Sequence, residues 1–172
     1  MEGSDLHDEL TKKDIELMQR ELDELTLRVL PAAIEEVKRT RAFGDLSENY
    51  EYKAAKQAQN HARSRIRYLQ GMIDTARVID DASRSDEAGL FDRVEVYLPE
   101  DDETQIVRIV TTVRCDPARG FISKESPFGR AVLGRRVGER VTVVVSEDYR
   151  YEAEIRSITK CEDDGQASLM KY

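Results

Sequence analysis

Arg41-Ala42-Phe43-Gly44-Asp45-Leu46-Ser47-Glu48-Asn49-Tyr50-Glu51-Tyr52 separates two long stretches whose apolar residues recur at helical spacing. On its C-terminal side Tyr52, Ala55, Gln59, Ala62, Ile66, Leu69, Ile73 and Ala76 follow one another at intervals of three and four, the seam of a coiled coil. On its N-terminal side Ile15, Leu22 and Val29 form one seven-residue series and Met18, Leu25 and Ala32 the other. Ala33, Ile34 and Val37 continue that side with the phase displaced, and Pro31 stands where it slips. A proline inside a helix removes one backbone donor and crowds the carbonyl four residues back, so a kink is expected there. The quoted stretch is then the turn of an antiparallel helical hairpin, with two carboxylates, Asp45 and Glu48, at its tip. Arms of about 30 residues, rising about 1.5 Å per residue, reach roughly 45 Å.

Outward from the hairpin, Thr11 can cap the first helix, with Asp14 placed in its first turn, and Met1 to Leu10 is a polar lead-in expected to fray. The first helix is expected to run to about Arg41 and the second to about Val78. Asp80 to Gly89 is polar and small, the composition of a linker. Beyond it the period becomes two: Arg93–Leu98, Thr104–Val113, Phe121–Ser123, Val141–Val145 and Tyr151–Ile158 read as strands. Between them Ser126 is a helix cap, Pro127 a first helical residue and Gly134 a stop, which marks one short helix. The fold class is α+β: a coiled-coil hairpin over 1–79, a linker over 80–90, and over 91–172 a small antiparallel sheet domain with one short helix.

The composition narrows the function. With 36% charged residues and a formal net charge of −8 over 172 residues, the chain suits an exposed helical arm and is ill suited to wrapping duplex nucleic acid. No segment resembles a signal peptide or a membrane span, so a cytoplasmic protein without membrane association is expected. Cys115, Cys161, His7 and His61 are scattered at spacings that suit neither a disulfide framework nor a metal site.

At the tip, the residues admit two roles for the acids. Asp45 followed by Glu48 ahead of an apolar run is a helix-start signature, with Asp45 or Ser47 as the cap. The same carboxylates are hard oxygen ligands suited to Mg²⁺. Behind them Lys38, Arg39, Arg41, Lys53 and Lys56 form a basic collar, either a solvated face paired with Glu35, Glu36 and Glu51 or a surface for phosphates.

Gly44-Asp45-Leu46-Ser47-Glu48-Asn49 with Glu51-Tyr52, then Ala76-Arg77-Val78-Ile79-Asp80, then Ser126-Pro127 with Ala131 and Gly134, resembles the bacterial Gre family of transcript cleavage factors. The resemblance covers nearly the whole chain in the family's order, and the tip motif is more similar to the GreA branch than to the GreB branch. It implies a coiled coil that enters the secondary channel of bacterial RNA polymerase and an FKBP-like C-terminal domain that holds the outside of the channel. Asp45 and Glu48 are then donated to the polymerase active site, where they help hold a second Mg²⁺ for hydrolysis of the 3′ end of backtracked RNA. Arg41 and Lys56 match basic residues that approach the nascent RNA 3′ end, and Ser126 and Pro127 match a polymerase-contacting loop. The factor would be a monomer, have no cofactor of its own, and be no enzyme alone.

Two departures stand out. Tyr50 replaces a residue that is small in the family, and Val113-Arg114-Cys115-Asp116-Pro117-Ala118-Arg119-Gly120 replaces an acidic, glycine-containing segment. They keep open a channel binder that regulates or inhibits polymerase without cleavage. A prolyl isomerase would need an aromatic-lined pocket, which Phe91, Phe121 and Phe128 without tryptophan supply poorly. The tail from Glu162 to Tyr172 has no reading from the sequence.

Overall fold

The computed structural model describes residues 9–43 and 49–171. The chain order is β1 (Glu9–Leu10), α1 (Lys12–Glu24), a π-helical turn (Leu25–Val29), α2 (Leu30–Arg41), α3 (Tyr50–Asp74), β2 (Arg77–Val78), β3 (Arg93–Leu98), β4 (Glu103–Val110), β5 (Phe121–Ser123), α4 (Pro127–Val132), β6 (Arg140–Val144) and β7 (Arg150–Thr159). Two compact units result: Ile15–Ala76 is one, and the residues up to Asp14 and from Arg77 onward make the other.

α1 opens on a reciprocal cap. The Asp14 amide donates to Thr11 Oγ1 at 3.1 Å and the Thr11 amide donates to Asp14 Oδ2 at 2.8 Å, which satisfies two of the first-turn donors. Further on, the slip in apolar phase has a definite cause. The series Ile15, Met18, Leu22, Leu25 projects onto 29, 32, 36 and 39, yet those residues are exposed, while Leu30, Ala33 and Val37 are half-buried and Thr40 is buried. The π turn accommodates the one extra residue: the Leu30 amide donates to Leu25 O, five residues back. Pro31 follows at once, in the first turn of α2, where its missing N–H and its ring are tolerated. The seven-residue series through Val29 and Ala32 is therefore corrected.

α3 buries Ala55, Gln59, Ala62 and Leu69, four of the stripe residues. Arg65 is buried beside them because its guanidinium donates twice to Glu21 of α1, at 2.7 and 3.0 Å. α3 ends at Asp74 rather than Val78, since Arg77–Val78 pairs in parallel with Glu9–Leu10. Leu10 is fully buried and the Ile79 amide donates to its carbonyl at 2.9 Å, so the expected fraying does not extend to these two residues.

The sheet unit has strand order β5-β4-β3-β7-β6. Every pairing is antiparallel except β4–β5, which is parallel, so the sheet is mostly antiparallel, as expected, with one parallel pair. The chain leaves β4 through helical turns at Thr112–Arg114 and Pro117–Arg119 and re-enters along the same direction. Gly120 closes that return with φ of 77°, and a side chain there would meet Ile106 O at 2.9 Å. Val94, Val96, Val107, Ile109, Val143, Ala153 and Ile155 fill the core at alternate positions under α4. Gly129 lets α4 approach β5, since a Cβ would lie 2.1 Å from Ser123 O.

The end of the expected linker is built into this unit. Ala88 and Leu90 join the core, and Ala88 exchanges backbone bonds with Arg135 and Gly134 at 2.8 Å each. Polar residues that suggested a linker are used in bonds within this unit: Ser83 donates to Asp81 at 2.8 Å and accepts from Lys160 at 2.7 Å. The C-terminal tail is likewise structural. Ala167 is in the core, the Met170 amide donates to Val113 O at 2.8 Å, and Arg108 pairs with Asp164 at 2.8 Å. Arg114, wholly buried, donates to Asp163 at 2.8 Å, to Asp14 of α1, and lies over the Phe91 ring at 4.4 Å. Burial alone would lower its pKa, and the two carboxylates outweigh that and raise it. The segment that departs from the family pattern thus supplies the residue that joins tail, sheet and the first turn of α1.

Candidate functional site: the hairpin tip

Asn49 is the organising residue. Its side-chain oxygen accepts from the Tyr52 amide at 2.9 Å, and its side-chain amide donates to Thr40 O at 2.8 Å. The first bond caps α3 and the second ties that cap to the last turn of α2. Thr40 is buried and donates its own hydroxyl to Glu36 O at 2.8 Å, so the closure is fixed from both arms. The N-cap position of α3 belongs to Asn49, and Glu51 is the acid of its first turn; Ser47, read from the sequence with Asp45 as a cap, lies outside the described residues. Asp45 and Glu48 themselves lie outside the described residues.

The basic collar divides. Lys38 pairs with Glu35 at 2.7 Å, and Arg39 pairs with Glu36 at 2.5 Å and approaches Glu51 at 3.9 Å. The Arg39 guanidinium lies 5.4 Å from the Phe43 ring centroid, and its pKa is raised by the Glu36 hydrogen bond. Arg41 and Lys56 are exposed, and among the described residues no ion pair engages either. Two aromatic rings flank the turn, Phe43 and Tyr50, the latter 81% exposed with Lys53 over its face. They are available to stack on a base or to meet a protein wall.

Ser126 and Pro127 stand away from this group in sequence, and local structure accounts for both. Ser126 Oγ accepts from the Gly129 amide at 2.9 Å and donates to Ser123 O at 2.8 Å, while Pro127 is the first residue of α4. Among the described residues no group of three or more His, Cys, Asp or Glu could hold a metal ion. Two tip carboxylates alone fill only part of an octahedral Mg²⁺ shell, so the donor set suits an ion shared with another molecule. Among the described residues no helix is long and apolar enough to cross a membrane.

Asn49 escaped the reading of the sequence because two acids and a serine preceded it and competed for the cap. Its signal was its place: the last residue before the apolar run. Nothing local pointed to Arg114, whose carboxylate partners lie 100 and 49 residues away.

Comparison with known proteins gives the chain a family. The family profile described as "Transcription elongation factor, N-terminal" matches residues 9–78, and "Transcription elongation factor, GreA/GreB, C-term" matches residues 83–160. The chain is 42% identical to "Transcription elongation factor GreA" of Mesoplasma florum, over 78% of this chain and 86% of that one. It is 36% identical to the protein of that name from Leuconostoc mesenteroides, over 88% of this chain and 95% of that one. Among solved structures, GreA factor homolog 1 (Gfh1) of Thermus thermophilus is 26% identical over 88% of this chain and 98% of its own, with a TM-score of 0.40, a superposition too loose to transfer geometry from. The chain belongs to the GreA/GreB family of transcription elongation factors.

Proposed function

We propose that the chain inserts its helical hairpin into the secondary channel of bacterial RNA polymerase and stimulates hydrolysis of the 3′ end of backtracked RNA by the polymerase. The observation that carries this reading is Asn49: it fills the N-cap position of α3, so that helix start does not call for an acid as its cap, and the carboxylates of Asp45 and Glu48 are read by their chemistry as ligands for a partner's ion. Magnesium bound at the polymerase active site polarises the phosphodiester and activates water. Asp45 and Glu48 supply carboxylate oxygens to an ion held jointly by the two proteins. Arg41 and Lys56, unpaired among the described residues, attract the backbone of the extruded RNA. Ser126 and Pro127 shape a loop of the sheet unit that docks on the outside of the channel, with the hydroxyl engaged in holding the loop rather than in the contact.

The test is transcript shortening in a stalled, backtracked elongation complex. Wild type is expected to cleave in a Mg²⁺-dependent manner, and Asp45→Asn or Glu48→Gln to lower the rate on the order of a hundredfold while still binding polymerase. Wild-type binding without stimulated cleavage would replace this reading with that of a channel-occupying regulator, which the exposed Tyr50 ring at the tip favours.

A further inference from the structure

The sheet register sets two arginines face to face: Arg93 of β3 is the cross-strand partner of Arg108 of β4. Like charges directly opposite one another destabilise an antiparallel pair. The two line a cleft of about 210 Å³ together with Arg119, Gly120, Phe121 and Gln166. Asp164 neutralises Arg108 at 2.8 Å. Arg119 lies over the Phe121 ring at 5.2 Å and donates to Gln166 O at 3.3 Å, and meets no carboxylate there. Among the described residues no ion pair engages Arg93 or Arg119. Three guanidinium groups against one carboxylate leave two uncompensated positive charges in one cleft of a chain whose net charge is −8.

We propose that this cleft binds a phosphoryl group. A phosphoryl group with second pKa of about 6 is close to dianionic at neutral pH, which matches the two uncompensated charges better than one carboxylate does. Guanidinium forks bind its oxygens in pairs. At about 30 Å³ per water, the cleft has room for a phosphate or a pyrophosphate. The bound anion also removes the repulsion between Arg93 and Arg108. The two negative charges can come from a free pyrophosphate-containing compound or from two successive phosphodiesters of a nucleic-acid backbone, each of which carries one.

The test needs no polymerase, so its outcome is separate from that of the cleavage assay. The full chain is titrated at low salt with pyrophosphate, with a short single-stranded RNA and with an acidic peptide. One pyrophosphate per chain is expected, weakened about tenfold by Arg93→Gln or by Arg119→Gln and unchanged by Arg63→Gln on α3. RNA binding with the same arginine dependence, without pyrophosphate binding, keeps the phosphoryl site and assigns it to a backbone. Without any anion, Arg93→Gln is expected to raise the melting temperature, because one of two facing charges is gone; a merely structural role would lower it. Binding of neither phosphoryl probe, binding of the acidic peptide alone, or binding indifferent to both variants overturns the proposal.

Discussion

Asn49 separates two jobs that one substitution each can distinguish. Asn49→Ala removes both the cap on α3 and the bond to Thr40 O, and a lost cap alone costs about 1 kcal/mol. Asn49→Asp keeps an acceptor for the Tyr52 amide and loses the donor to Thr40. Hydrogen exchange of the Tyr52 amide is expected to accelerate in the alanine variant and to stay slow in the aspartate variant. Equal, wild-type protection in both would show that the cap carries no weight. Arg114 is a second residue whose loss is out of proportion to its size. Arg114→Met conserves apolar volume but leaves Asp14 and Asp163 without their cation, and stranding a buried charge costs about 3–5 kcal/mol. Arg114→Lys is expected to recover little, since one ammonium cannot reproduce a fork that spans two carboxylates. Urea unfolding of the three proteins checks both statements.

Among the elements, the π turn makes the most specific claim. It exists because the apolar series of the first arm resumes one residue late, so Leu30, Ala33, Val37 and Thr40 face inward in place of the projected positions. Deleting Leu27, itself 74% exposed, brings the two series into one frame. The shortened arm is expected to fold with an unbroken α-helical ladder, although the proline then costs up to about 3 kcal/mol in a regular helix. Pro31→Ala alone is expected to retain the turn, because packing rather than the proline fixes the phase. A crystal structure of either variant decides; a Pro31→Ala arm without the π turn would assign the irregularity to the proline instead. Here the sequence was readable, since the displaced phase was visible at Ala33, Ile34 and Val37. The hairpin, the five strands of the larger sheet and the Ser126-capped helix were also legible, because each is written in local period and capping chemistry. The pairing of Glu9–Leu10 with Arg77–Val78 and the parallel β4–β5 contact were not, because register between distant segments leaves no local trace. The tip was legible in part: among the described residues the collar splits into Lys38 and Arg39, which pair, and Arg41 and Lys56, which do not, and that split depends on which rotamers reach a glutamate.

At the scale of the whole molecule, the ties that close the sheet unit titrate, and their signs can be worked out. Lys124 donates to Glu9 and pairs with Glu125 at 2.7 Å, holding β1 to the turn before α4. The hydrogen bond from Lys124 holds the Glu9 carboxyl below the ordinary 4.5, and the bond from Arg108 holds Asp164 below 3.8. Groups depressed in the folded chain contribute stability that is full above those ordinary values and is lost as pH falls through the folded ones. Lys124 is opposed by its own burial, but Glu125 and Glu9 outweigh that and raise its pKa above 10.5. Its contribution is full below 10.5 and is lost as pH rises through the higher folded value. The urea midpoint of wild type is therefore expected to be level between these limits and to fall at both ends. In Lys124→Met the Glu9 depression largely disappears with its main cause, so the acid limb flattens; the alkaline limb becomes shallower and the plateau drops. Tyr97 and Tyr151, also raised, keep some alkaline slope in the variant. A variant whose two limbs match those of wild type, merely displaced downward, would show that Lys124 acts through packing of its stem and that the charge pair with Glu9 is not what couples β1 to the sheet.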